Sequence, residues 1–221
     1  MHIPDGILSP AVLTASATVS ALVLGTAFYK AKKKVDSSMI PSMGVMAAFL
    51  FAAQMINFPL LGAAASGHLL GGALAGILFG FWPAAIIMTT VVTIQAVLFQ
   101  DGGITALGLN LLDMASIAPL IGTVLYRLLG WGKIPLAIRA FLAGWASVMG
   151  AAAMAAFALG LSGVVSFSLA FSSLLFWHSL IGIGEGIITA VILPFTLHSP
   201  IRLVSSAQVE SLPKESKVHT L

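Results

Sequence analysis

The chain has 221 residues, 59% of them apolar and none cysteine, with ten Lys and Arg against seven Asp and Glu for a formal net charge of +3. A soluble domain carries roughly a quarter charged residues, so a soluble globular protein is excluded, and the lack of Cys excludes disulfides, thiolate metal sites, Fe–S clusters and cysteine nucleophiles. Five charges fall in 30–36 and five more from Arg202 onward, which leaves six between Ser37 and Ser199 and assigns most of the chain to lipid.

The chain opens on MHIPDGILSP, which lacks the basic stretch of a secretory signal. Pro4-Asp5-Gly6 is a turn, with Pro fixing φ and Gly accepting φ > 0. A spanning helix needs roughly 20 mostly apolar residues. Turn and charge boundaries give seven stretches, at 11–29, 41–58, 68–80, 82–99, 105–126, 136–159 and 169–197, of which the third is short. The fold expected is therefore an all-α integral membrane protein of about seven transmembrane helices. Residues 1–200 form one transmembrane domain, with 1–10 as an outer loop and 201–221 as a cytoplasmic tail.

Lys and Arg of short connections stay on the cytoplasmic side. With the amino terminus outside and the carboxyl terminus inside, the inward segments hold Lys30, Lys32, Lys33, Lys34, Arg127, Lys133, Arg139, Arg202, Lys214 and Lys217, which is every basic residue of the chain. Topology thus accounts for the positive charge, and nucleic acid is not implied as a partner.

The same topology collects His2, Asp5, Asn57, Ser66, His68, Gln100 and Asp101 at the outer side. His68 is followed by Gly72, Gly76 and Gly80, and His178 by Gly182, Gly186 and Ala190. Small residues at this spacing let membrane helices approach closely. A chain starting Met-His offers a terminal amine, the His2 amide nitrogen and the His2 imidazole to one ion, closing a five- and a six-membered chelate ring. An imidazole from His68 completes four nitrogens, and tetragonal nitrogen coordination suits Ni(II) or Cu(II). The plainer alternatives are a terminus without a site and His68 as a hydrogen-bond donor at a helix end. Asp5, Asn57, Ser66, Gln100 and Asp101 are candidates to orient the ligands, because ligating imidazoles usually donate their second N–H to a carboxylate, amide or carbonyl. Asp5 also fits as a builder of the Pro-Asp-Gly turn.

The start MHIPDGILSP, the segment Ser66-Gly67-His68-Leu69-Leu70-Gly71-Gly72 and the segment Leu98-Phe99-Gln100-Asp101-Gly102-Gly103 resemble the CbiM/NikM family, the substrate-binding membrane components of energy-coupling-factor transporters for cobalt and nickel. The resemblance implies a six-span bundle with one added span, in a prokaryotic inner or plasma membrane, carrying Co2+ or Ni2+ as transported substrate. It implies metal ligation by the Met1 amine, the His2 backbone and side-chain nitrogens, and His68. It also implies a transmembrane coupling subunit and ATPase subunits as partners, with a small accessory membrane subunit in some members. This chain has no G-x-x-x-x-G-K-[ST] loop, and Gly130-Trp131-Gly132-Lys133 lacks its spacing. ATP hydrolysis is therefore expected from another polypeptide, and the chain is not read as an enzyme.

Asp113 and Glu185 fall inside spans, where an ionisable side chain is costly and is by default a functional hypothesis. One reading makes them a proton relay in a self-sufficient carrier or channel. The other makes them hydrogen-bonded carboxyls that serve packing or subunit contact. His178 is a further candidate ligand, though the four nitrogens already complete a site without it.

Overall fold

A computed structural model describes residues 1–61, 64–132 and 134–197. Lys133, Arg202, Lys214, Lys217 and the 201–221 tail lie outside the described residues. Among the described residues six helices are long and apolar enough to cross a membrane: α1 (Pro10–Ala31), α2 (Ser37–Gln54, opening on one 3-10 turn), α4 (Phe81–Phe99), α5 (Leu107–Gly130), α6 (Leu136–Leu161) and α7 (Phe167–Leu197). Between α2 and α4 lie a short antiparallel hairpin, β1 (Phe58–Leu60) with β2 (Ala65–Gly67), and an eight-residue helix, α3 (Gly72–Phe79).

Local chemistry explains the boundaries. Ser9 caps α1 with an extended backbone, its hydroxyl accepting from Val12 N at 3.5 Å, and Pro10 occupies the first helical position, where the missing N–H costs nothing. In α5 the helix opens into a π turn over Leu112–Ile117, so that Ala118 N–H donates to Asp113 O. Pro119 follows at once. A proline cannot donate to the carbonyl four residues back and its ring clashes with it, so a shift of register just before Pro119 is the local solution.

The third expected span differs from the helix anticipated at 68–80. At about 1.5 Å per residue, α3 is about 12 Å long, well short of the ~30 Å hydrocarbon layer. His68 accordingly stands four residues before α3, just beyond β2, and does not start the helix. The third stretch is thus a run without regular secondary structure at 68–71 followed by a short buried helix. Non-helical backbone at membrane depth is tolerated only where protein buries and pairs it. Leu70 and every residue of α3 are buried. The backbone groups of the run that lack helical partners have dedicated ones: Glu185 of α7 accepts from Leu70 N at 2.9 Å and Gly71 N at 2.5 Å, and Gln54 Nε2 of α2 donates to Leu70 O at 2.6 Å. Gly71 makes the turn into α3 with φ 74°, a left-handed conformation that glycine adopts without penalty.

The glycine spacing read from the sequence does serve close packing. A Cβ on Gly72 would lie 2.9 Å from Ala118 Cβ, and one on Gly122 2.5 Å from Ala73 Cα, so α3 and α5 meet nearly backbone to backbone. A Cβ on Gly186 would lie 2.7 Å from Phe141 Cδ2, and α6 and α7 pack along much of their length. At the cytoplasmic end Arg139 sits over the Tyr126 ring at 4.8 Å, a cation–π contact that places positive charge where topology requires it.

Candidate metal centre

The first three residues are threaded into the outer end of the bundle, with Met1 and Ile3 fully buried and His2 2% exposed. Burial of backbone requires hydrogen-bond partners for each group, and they come from three elements. Ser66 N, on β2, donates to His2 O at 3.1 Å, and Gly103 N donates to Ile3 O at 2.9 Å. Asn110 of α5 binds Ile3 twice, its Oδ1 accepting from Ile3 N at 2.9 Å and its Nδ2 donating to Ile3 O at 3.0 Å. Asn110 thus imitates a neighbouring strand.

Within this frame the nitrogens expected from the sequence converge. The Met1 amine donates to Ser66 Oγ at 3.1 Å, and His2 N donates to the same oxygen at 2.9 Å. The amine also contacts His68 Nε2. His68 Nδ1 lies 2.8 Å from Leu69 O; that carbonyl can only accept, which sets the proton on Nδ1 and leaves the Nε2 lone pair directed at the amine. The His2 and His68 rings stack with centroids 4.7 Å apart and planes 23° apart. Among the described residues no group of three or more His, Asp or Glu side chains could hold a metal ion.

The supporting residues divide. Asp101 Oδ1 lies 3.2 Å from His2 Nδ1, and Asn57 Nδ2 donates to Asp101 Oδ2 at 2.7 Å. Burial pushes the Asp101 carboxyl up, but its His2 and Asn57 partners outweigh this and hold it below the usual range. Gln100 contributes backbone shape: its left-handed conformation (φ 55°, ψ 25°) ends α4 and returns Asp101 N to Gln95 O at 3.0 Å. Asp5 pins the loop elsewhere, accepting from Thr105 Oγ1 at 2.5 Å, Thr105 N at 2.7 Å and Ile104 N at 3.1 Å. Those bonds, led by the Thr105 hydroxyl, hold its carboxyl low. Gly102 (φ +90°) leaves room for the imidazole, because a Cβ there would lie 3.1 Å from His2 Cδ2.

Of the polar residues inside spans, Glu185 binds the backbone of Leu70 and Gly71, as the hydrogen-bonded reading of that carboxyl expected. His178 Nδ1 lies 2.8 Å from Leu174 O one turn earlier in α7. Asp113 is fully buried in the π turn of α5. Two contributors were absent from the sequence reading: Asn110, and Gln95, a buried amide of α4 beside the His2 ring. Their signal is a carboxamide within an apolar span, which lipid does not tolerate unless a partner faces it.

Burial draws the Met1 amine from 8.0 down to about 4, against the opposing pull of Asp113 and Asp101. Between those pH values the docked amine binds fewer protons than a free one. Docking therefore strengthens as pH rises across the window and weakens by about 1.4 kcal/mol for each unit that pH falls. A nitroxide placed at Ile7 through Ile7→Cys in this cysteine-free chain should show its mobile component growing from pH 8 to pH 5. A spectrum constant over that range would contradict the assignment.

Residues 2–200 match the CbiM family, described as "Cobalt uptake substrate-specific transmembrane region". A Haloquadratum walsbyi protein named for metal transport is 42% identical over 86% of this chain and 87% of its own length. An Archaeoglobus fulgidus protein named for fused nickel transport, NikMN, is 39% identical over 88% of this chain, which spans 65% of that longer protein. A solved structure titled as a truncated transition metal transporter superposes with a TM-score of 0.84 at 33% identity, covering 89% of this chain and 98% of that one. The chain is a multi-pass prokaryotic membrane protein, and it belongs to the CbiM family of cobalt and nickel transport proteins.

Proposed function

We propose that this chain captures Co2+ or Ni2+ at the outer face, as the substrate-binding membrane component of an ATP-driven energy-coupling-factor importer. The ion is held by the Met1 amine, the His2 amide nitrogen, the His2 imidazole and His68 Nε2. The observation that carries this reading is the convergence of the amine and the His2 amide on one hydroxyl, Ser66 Oγ, with His68 Nε2 against the same amine. An ion taking up these nitrogens replaces Ser66 Oγ as their common partner. The six-membered chelate ring requires His2 Nδ1, which faces Asp101 in the docked loop. The imidazole therefore turns about Cβ–Cγ on binding, and Asp101 takes the Nε2–H, the usual support of a ligating imidazole.

Inward delivery requires a coupling subunit and ATPase subunits, since this sequence has no phosphate-cradling loop. Names such as NikMN, a fused transport protein, support assembly with further components. The deciding experiment adds two residues, Gly-Ser, before Met1 and titrates purified protein with Ni2+ and Co2+. The Met1 nitrogen then becomes a peptide nitrogen and the new amine lies two residues further out, beyond a chelate ring to His2, so binding should be lost while an equivalent carboxyl-terminal tag leaves it intact. Unchanged affinity in the extended protein would overturn the ligand set.

A further inference from the structure

Three hydrogen bonds tie Ser66 to the first two residues. Its N donates to His2 O at 3.1 Å, and its Oγ accepts from the Met1 amine at 3.1 Å and from His2 N at 2.9 Å. The two nitrogens that meet on Oγ are the pair that closes a five-membered chelate ring with an ion. A peptide nitrogen that exchanges its proton for a metal ion stays planar, so the ion lies along the former N–H direction, which here leads to Oγ. A metal–nitrogen bond is about 2 Å long, which puts an ion on that line roughly 1 Å from Oγ. Bonded metal and oxygen atoms stand about 2.0–2.2 Å apart, so the hydroxyl and the ion compete for one position.

The Ser66 backbone is fixed, paired opposite Pro59 of β1 and bonded to His2 O. Its side chain can move: Ser66 is the partly exposed residue of β2, between buried Ala65 and Gly67, and a serine has three staggered wells about Cα–Cβ. Other groups dock the loop without Oγ, since Asn110 and Gly103 hold Ile3, and Ile104 and Thr105 hold Asp5. A buried donor without an acceptor is costly, so what Oγ supplies is a partner for the two nitrogens whenever no ion holds them. We propose that the Ser66 hydroxyl is an internal stand-in for the transported ion. It pairs the amine and the amide before capture, swings out as the ion enters, and reclaims both nitrogens as the ion leaves. On capture the His2 N–H bond breaks, its proton passes to the outer aqueous phase, and the electron pair left on nitrogen forms the bond to the metal. Ser66 thereby tempers affinity and favours release. It is a positioning residue, outside the ligand set.

The inference rests on the proposed ligand set, and the test separates the two. Wild-type protein and Ser66→Ala are titrated with Ni2+ by calorimetry, and the loaded proteins are then challenged with excess EDTA. Alanine leaves the two donors unpaired only before capture. The variant should therefore bind roughly 10- to 100-fold more tightly and release Ni2+ more slowly, with the ligand-field absorption of the wild type. A weaker or unchanged Kd, the result if Oγ only positions the loop, would overturn the stand-in. So would an altered ligand-field spectrum, which would make the hydroxyl a ligand. Failure of the wild type to bind would instead overturn the ligand set. If Ser66→Ala does not fold, Ser66→Cys decides, because a thiolate binds metal ions directly. A sulfur-to-nickel charge-transfer band supports a side chain at the ion's position, and its absence refutes the inference.

Discussion

Replacing His68 by alanine should lower affinity for Ni2+ and Co2+ by more than the roughly 10- to 100-fold that loss of an outer-shell partner costs. The reason lies in how the imidazole is presented. Leu69 O holds Nδ1 at 2.8 Å, so Nε2 meets the Met1 amine with its lone pair, and the ring lies against His2 at 4.7 Å. Alanine removes the proposed ligand, the partner of the amine and the surface on which His2 stacks. Three nitrogens from residues 1 and 2 would remain, and a three-nitrogen chelate on a loop no longer stacked must also be ordered by the ion itself. The informative control is His178→Ala, because His178 is buried in α7 with its Nδ1 on Leu174 O. That variant should keep its Kd within a few-fold. Calorimetry and ligand-field spectra of both proteins check the pair. Equal losses in the two would assign His178 to the coordination sphere, and a His68→Ala protein with unchanged Kd would remove His68 from it.

The grouping of nitrogens at the outer end was legible in the sequence for a physical reason. A chelate at residues 1 and 2 is built from bonded neighbours, so its ring sizes follow from covalent connectivity, and outer topology alone put His68 on the same side. Asp101 was read as a candidate to orient an imidazole by holding its second N–H, and the structure sets its Oδ1 3.2 Å from His2 Nδ1, the nitrogen that the chelate ring would use. The third stretch was read as a helix from His68 because 68–80 is apolar and small enough to look like a short span, whereas the helix starts at Gly72. What breaks it is the left-handed Gly71, and what makes the break tolerable is Glu185, 114 residues further on. Such a long-range acceptor for a main-chain N–H leaves no periodic trace in sequence. Asn110 escaped for the same reason, since its partner is the backbone of Ile3. Asp5, a candidate supporter of the ligands, anchors Ile104 and Thr105 instead, a choice that depends on where the loop folds.

The second large effect is expected at Glu185. Its carboxylate accepts from Leu70 N at 2.9 Å and Gly71 N at 2.5 Å, in a stretch that has no helical partners of its own. Alanine would leave two buried N–H groups without acceptors. At about 1–3 kcal/mol for each, the loss is about 2–6 kcal/mol, a large share of the 5–15 kcal/mol by which domains are usually stable. Glutamine keeps one oxygen but turns an NH2 toward a second donor, so it should lose about half as much. The expected order of thermal unfolding midpoints in detergent is wild type, then Glu185→Gln, then Glu185→Ala. Metal affinity should fall in the same order, because the run that Glu185 fixes begins two residues after His68. A proton-relay role makes the opposite prediction: Glu185→Gln would melt and bind as the wild type does, yet fail to transport. Measuring midpoint, Kd and uptake on the same variants separates a carboxylate that holds backbone from one that moves protons, and the two hydrogen bonds favour the first.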